Sequence, residues 1–360
     1  MELIISTAIA VFLWIVNPRD IRNRVIKRIL APVTVDYSRL EVLSRQGLKV
    51  KDAEHLQSPH LRARYRDLFW PVVPSRTPNL IHASFISELK QLSMMGIRTT
   101  LFVFDEYAAR IRNEDDNTAR EYAQGFVQGL MTMGLQSCNV KVVYQSDVSS
   151  ASVRAAKLLP TMLRCLGKLT CKDLNLISRA KTYMCDDTPS IRYFKPILNM
   201  LYLMSVKGRY GYVLAGSDEE ILWDSFTSAV AGDSKSINPV KLLIPTMPGL
   251  SGNPTHTLDR DDNIYLLESE ENVSRKINVV VANIAKENAL TYIWDRVFFS
   301  RGHSIDVNTQ GGTVVLRVNS IADLRSRVNR NEIAAEDLRQ AFIDSVKVVF
   351  SGGLHVAVSA

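Results

Sequence analysis

Seven cationic residues lie between positions 151 and 181, namely Arg154, Lys157, Arg164, Lys168, Lys172, Arg179 and Lys181, with Asp173 as the single opposing carboxylate. Positive charge at this density on a stretch of helical composition suits a polyanion, because each neutralised phosphate releases condensed counterions. A solvated helical face, or a contact between subunits, would use the same residues. A second set of groups gathers at the ends of apolar runs. "LFWPVV" stops at the turn "PSRTPN", which carries Ser75 and Arg76; "RTTLFVF" stops at Asp105; "YGYVLAG" stops at "SDEE", residues 217–220. Carboxylates at a pocket mouth, here Asp105, Asp218 and Glu219, would favour an amine or a guanidinium. "SDEE" equally suits a solvated helix start that satisfies the helix dipole.

These groups must be positioned by the elements between them. "LFWPVV", the turn, a helix over 82–95 closed by Gly96, and "RTTLFVF" form a strand, helix, strand unit. Such a unit implies a parallel sheet with its ligand site at the carboxyl ends of the strands. Further strands are expected at "VKVVYQ", "YGYVLAG" and "VKLLIPT", with a helix over 117–133 and a long basic helical stretch over 151–185. After position 279 the pattern is mainly helical, interrupted by "GGTVVLRVNS" and closed by the amphipathic "AAEDLRQAFIDSVKVVF". Charged and apolar residues at helical spacing make 17–68 a helical region. The chain is therefore expected to be an α/β protein in three parts: a helical region over 1–67, a Rossmann-like domain over 68–280 and a mainly helical domain over 281–360.

A length of 360 residues permits a large core and a second small domain, and the net charge of +7 suits the polyanionic partner. The four cysteines, at 138, 165, 171 and 185, form no C-x-x-C pair and have no histidine at zinc spacing, so reduced thiols of a cytoplasmic protein are expected, with no metal. Residues 3–16 are nearly all apolar, but the run is shorter than the roughly 18 to 20 residues that span a bilayer, and no small-residue cleavage site follows it. The expectation is a core or dimer-contact helix, with no membrane partner.

The order of motifs resembles a class I tyrosyl-tRNA synthetase of the eukaryotic or archaeal type, from about residue 68 to 350. Asn79, Leu80, Ile81 and His82 stand at its HIGH-type motif, after a proline-bearing turn, and Asp105 stands at its "AD-x-H-A" strand end. "FKPILNMLY", "AGSDEE", "PGLSG" and "NSIADLRSRVNRNEIAAEDLRQAFIDSV" stand at its "YP-x-x-Q-x-x-D" helix, its "GG-x-DQ" turn, the approach to its KMSKS loop and its anticodon-side domain. The resemblance implies a Rossmann-like catalytic core with a mainly helical C-terminal domain, contact with tRNA, and a homodimer. The departures fall on chemistry. Pro254, Thr255, His256, Thr257 and Leu258 replace the lysine and serines that hold the triphosphate of ATP, and Ile81 fills the space where adenine lies against a small residue. Lys195, Asn199 and Tyr202 replace the tyrosine, glutamine and tyrosine-reading aspartate of the pocket helix, and Glu219 replaces the glutamine of "GG-x-DQ". Adenylation is not expected, and no cofactor is implied.

Cyclodipeptide synthases share this fold, lack ATP motifs, and join amino acids already activated as aminoacyl-tRNAs by way of a serine near the end of the first strand. That resemblance implies Ser75 as nucleophile, with Ser84 next. His82 would act as base or orient the terminal ribose, and Tyr193, Lys195 and Tyr202 would bind amines or relay a proton. Phe69, Asp105, Lys195, Asn199, Asp218 and Glu219 would contact substrate, at least one amino acid being cationic, with arginine a candidate, and the seven basic residues would contact the aminoacyl-tRNA. Ser75 equally suits a cap or turn before Pro78, and His82 equally suits packing at a helix start. The alternative is a catalytically inactive synthetase paralogue that binds tRNA or protein. Retention of the C-terminal domain favours this alternative, while Lys195 and Asn199 depart from the "Y-x-x-x-E" arrangement that bacterial cyclodipeptide synthases carry on that helix.

Overall fold

The computed structural model describes residues 44, 48–51, 67–149, 210–220, 223–224, 239–252, 262–282, 284–309 and 314–352. The expected basic stretch at 151–181, the pocket-helix positions Tyr193, Lys195, Asn199 and Tyr202, the loop positions 254–258 and the apolar N-terminal run lie outside these residues.

Six strands form the main sheet: β1 (Lys49–Lys51), β2 (Asp67–Val72), β3 (Arg98–Val103), β4 (Val140–Tyr144), β5 (Tyr210–Gly216) and β6 (Val240–Ile244), in the order β1-β6-β5-β2-β3-β4. Strands β2 to β6 are mutually parallel where they pair, and β1 runs antiparallel along β6. The helical expectation for 17–68 therefore fails at 49–51. "KVK" alternates with period two as well as fitting a charged helix face, and a three-residue edge strand with lysines on it is short enough to hide in a charged region. Those lysines hold the edge in place: Lys49 and Lys51 both pair with Glu220, Lys51 also reaches Asp224, and Asp224 in turn accepts from Lys241 of β6, whose side chain is 2% exposed.

The central strand β2 alternates its side chains. Leu68, Trp70 and Val72 enter the main core, where Trp70 stacks on Phe85 with ring centroids 5.6 Å apart. Phe69 packs against Phe102 at 5.6 Å. Pro71 has no N–H to donate to a neighbouring strand. Pairing of β2 with β5 ends at Phe69, whereas pairing with β3 continues to Val72. Beyond Phe69 the two central strands therefore part, at the point where strand order reverses, which is where open α/β sheets leave a crevice.

Helix α1 (Leu80–Met94) follows β2, and α2 (Asp105–Arg112) and α3 (Asp116–Thr132) follow β3. The α1 C-terminus closes as expected around Gly96, with Ile97 N donating to Leu92 O and Gly96 N to Ser93 O. Asp115 caps α3 by accepting from Thr118 N at 2.9 Å. A short helix α4 (Gln145–Ser149) leaves β4. The remaining helices are α5 (Glu270–Ala282), α6 (Ala289–Ile293), continued by a π-turn over Trp294–Phe298 and a 3₁₀ turn over Phe299–Arg301, then α7 (Ile321–Asn329) and α8 (Ala335–Phe350). The interruption read at "GGTVVLRVNS" is half of an antiparallel pair, β7 (Ile305–Thr309) with β8 (Val314–Val318). Trp294 and Phe342, centroids 4.6 Å apart, anchor this region. A buried ion pair at 3.0 Å, Arg301 with Glu88, ties it to α1.

Candidate functional site

The crevice at the carboxyl ends of β2 and β5 is bounded by the turn that follows β2. Ser75, 7% exposed, donates its hydroxyl to Thr77 O at 2.6 Å, a local bond that closes the turn. Arg112, which sequence reasoning passed over, reaches back from α2 to donate to Pro74 O at 2.7 Å while its Nε pairs with Glu114 at 2.8 Å. Arg76 points at the same Glu114, 3.5 Å away, and lies 5.1 Å from the centroid of the Tyr122 ring.

Asn79 begins α1, and His82 sits three residues in. Its Nδ1 accepts from Asn79 N at 3.2 Å, and its ring meets Phe126 edge-on at 5.1 Å. Burial lowers the His82 pKa from 6.5 to about 4, so the ring is neutral at physiological pH. Ser84 donates to Ile81 O at 2.7 Å, and Ile81 packs against the core. Phe69, expected to touch substrate, is fully buried.

The base of the 253–261 loop lies against the start of α1. Residues 264–266 bridge to 78–80, with Leu80 N donating to Ile264 O and Leu266 N to Pro78 O. The two ends of the loop are tied to each other: Leu250 N donates to Asp262 O at 3.1 Å and Ser251 N to the Asp262 carboxylate at 2.8 Å. Gly249 makes room for that carboxylate, since a β-carbon there would stand 1.6 Å from it. The adjacent cation, Lys276, is buried, with its ammonium 2.7 Å from Asn263 O and 2.6 Å from Glu268. It braces the loop base rather than facing a ligand.

Asp105 is the first residue of α2 and is 1% exposed. It accepts from Ser146 Oγ at 2.5 Å, Ser146 N at 3.1 Å and Arg120 Nη1 at 3.0 Å. Arg120 continues to Asp147 and lies flat on Tyr144, 3.6 Å from the ring centroid. This carboxylate thus binds a cation, but one supplied by α3 of the same chain. Asp218 and Glu219 fall in a 3₁₀ turn, Ser217–Glu219, at the carboxyl end of β5. Thr246 N donates to Ser217 Oγ at 3.0 Å, which joins this turn to the end of β6. Hydrogen bonds from Lys49 and Lys51 hold the Glu220 carboxyl below the usual range. Among the described residues, no group of three or more His, Cys, Asp and Glu could hold a metal ion, and no helix is long and apolar enough to cross a membrane.

This arrangement, a parallel sheet with its crevice between β2 and β5 and a loop base docked on α1, is the fold of class I tyrosyl-tRNA synthetases. The tyrosyl-tRNA synthetase of Archaeoglobus fulgidus, solved with L-tyrosine, matches 89% of this chain over 99% of its own, with a TM-score of 0.71 and 17% sequence identity. The Aeropyrum pernix tyrosyl-tRNA synthetase matches 88% of this chain over 93% of its own, at a TM-score of 0.68 and 14% identity. The tryptophanyl-tRNA synthetase of Plasmodium falciparum matches 87% over 83%, at 0.59 and 14%. No protein-family model and no curated protein matches the sequence.

Two predictions follow from these contacts. Neutral His82 contributes stability that is complete above pH 6.5 and is lost as pH falls through 4. At full extent this amounts to about 3 kcal/mol. His82→Gln should therefore flatten the fall in urea midpoint between those pH values, and an unchanged fall would show that His82 is not the group responsible. Asp105→Asn should lower unfolding stability by about 2 kcal/mol or more, because Arg120 loses a buried charge partner. Stability equal to wild type would instead make Asp105 a group kept for a ligand.

Proposed function

We propose that this chain is a tRNA-binding protein that keeps the tyrosyl-tRNA synthetase fold without forming an aminoacyl-adenylate. The observation that carries the reading is the direction of the polar groups at the carboxyl edge of the sheet: Ser75, His82 and Asp105 are each engaged by the chain itself. In sequence, residues 254–258 hold no lysine to meet a triphosphate, Ile81 stands on the adenine side, and the tyrosine-reading aspartate is replaced at Tyr202. The basic stretch from Arg154 to Lys181 supplies the electrostatic surface for tRNA, with Lys168 and Lys172 near its middle and Arg179 near its end.

In this reading pyrophosphate exchange is absent with every amino acid, and clear exchange with any one of them overturns it. Binding of tRNA falls with salt at a log–log slope of roughly −0.7 to −0.9 per phosphate contact. Replacing Lys168, Lys172 and Arg179 together with glutamate weakens binding and lowers that slope while the fold is kept; an unchanged affinity removes the stretch from the interface.

Ser75, at the carboxyl end of β2, favours a second reading, in which the chain is a tRNA-dependent cyclodipeptide synthase that needs no ATP. Ser75 Oγ attacks the ester carbonyl of one aminoacyl-tRNA, and the hydroxyl proton leaves with the freed ribose oxygen. The amine of a second aminoacyl-tRNA displaces the serine oxygen to form the peptide bond. The first amine then attacks the remaining ester, closing the diketopiperazine and releasing the second tRNA. Glu219 would select a cationic amino acid such as arginine, and its replacement by glutamine would reduce use of that substrate. Purified protein given a full set of aminoacyl-tRNAs should then yield a dipeptide mass and a covalent aminoacyl adduct, both lost in Ser75→Ala. Absence of any dipeptide from the wild-type protein rejects this reading, and full product from Ser75→Ala moves the nucleophile to Ser84.

A further inference from the structure

Three lysines share one face of the sheet edge made by β1 and β6. Lys49 and Lys51 alternate onto the same side of β1, and the register of the pair sets Lys51 directly opposite Lys241. Like charges opposed across two strands repel each other. Two carboxylates that follow β5 answer that repulsion. Asp224 accepts from Lys241 Nζ at 2.5 Å and from Lys51 Nζ at 3.2 Å, and so bridges the opposed pair. Glu220 takes Lys49 at 2.7 Å and Lys51 as well.

Glu220 also closes the Ser217–Glu219 turn, because its backbone N–H donates to Ser217 O. The turn is therefore tied at both ends by different means. At its start Thr246 N donates to Ser217 Oγ, a neutral contact of 3.0 Å, and at its end the tie is the charge pairing of Glu220. Asp218 and Glu219 lie between the two ties. Hydrogen bonds from Lys49 and then Lys51 hold the Glu220 carboxyl below its usual range, so it meets them as a carboxylate. Leu48, 2% exposed, roots β1 in the core beside its charged face.

We propose that Lys49 and Lys51 are positioning residues for this acidic turn: β1 is a strap whose charged face fixes where Asp218 and Glu219 stand at the carboxyl end of β5. Leu48 anchors the strap, and the ion pairs set the turn. A tie of this kind makes the turn sensitive to ionic strength, since pairs that water reaches are screened by salt.

The test is amide hydrogen exchange of the full chain, read at Glu220 and, as a core reference, at Leu101 of β3. Lys49→Gln combined with Lys51→Gln should speed exchange at Glu220 about fivefold and leave Leu101 unchanged. Lys49→Arg combined with Lys51→Arg keeps the charges and should bring the rate back toward wild type. Sodium chloride raised to about 1 M, where the Debye length is about 3 Å, should speed exchange at Glu220 in the wild type and leave the glutamine variant unaffected. An unchanged rate at Glu220 in the glutamine variant, a salt response that survives in that variant, or no recovery with arginine would overturn the assignment. Equal acceleration at Leu101 would overturn it too, by making the lysines a matter of general stability.

Discussion

The guanidinium of Arg120 holds the carboxyl edge of the sheet together. It reaches from α3 to Asp105 at the start of α2 and to Ser146 and Asp147 after β4, with Tyr144 beneath it. Four elements therefore meet at one planar cation that donates several directional hydrogen bonds at once, a role that an ammonium would fill poorly. The ends of β3 and β4 take their relative positions from this knot.

On the other side of β2 the sheet is shaped by an absence. Pro71 offers no hydrogen to β5, the two strands separate past Phe69, and the space between them becomes the crevice on which any ligand would be expected to converge. The hydroxyl, imidazole and carboxylate expected at the carboxyl edge of the sheet nevertheless turn inward. Ser75 closes its own turn, His82 completes the start of α1, and Asp105 answers Arg120. Along this edge the chain uses these polar groups for structure.

The parallel core was legible from the sequence because its strands are short, almost wholly apolar and bounded by Gly, Pro or acidic residues. β3, β5 and β6 all fall within the runs read for them. β1 and β7 were not legible, for two reasons. β1 is three residues long within a charged stretch, and β7, "IDVNT", buries only Ile305, Val307 and Thr309 in alternation, too few for a periodic signal to stand out. At the crevice the turn at 74–79 and the acidic positions could be placed in advance. Their partners could not, since Arg120 is 15 residues from Asp105 and Arg112 is 38 from Pro74, and only the packing of α2 and α3 brings them together. Asp105 looked like an open carboxylate for that reason.

The closure of residues 250–262 is made by its ends. The bonds that seal this segment use backbone N–H groups of Leu250 and Ser251, the carbonyl and carboxylate of Asp262, and the missing side chain of Gly249. The hold on the segment is therefore set at its two ends, so that any side chain larger than hydrogen at position 249 would displace the carboxylate on which the closure depends.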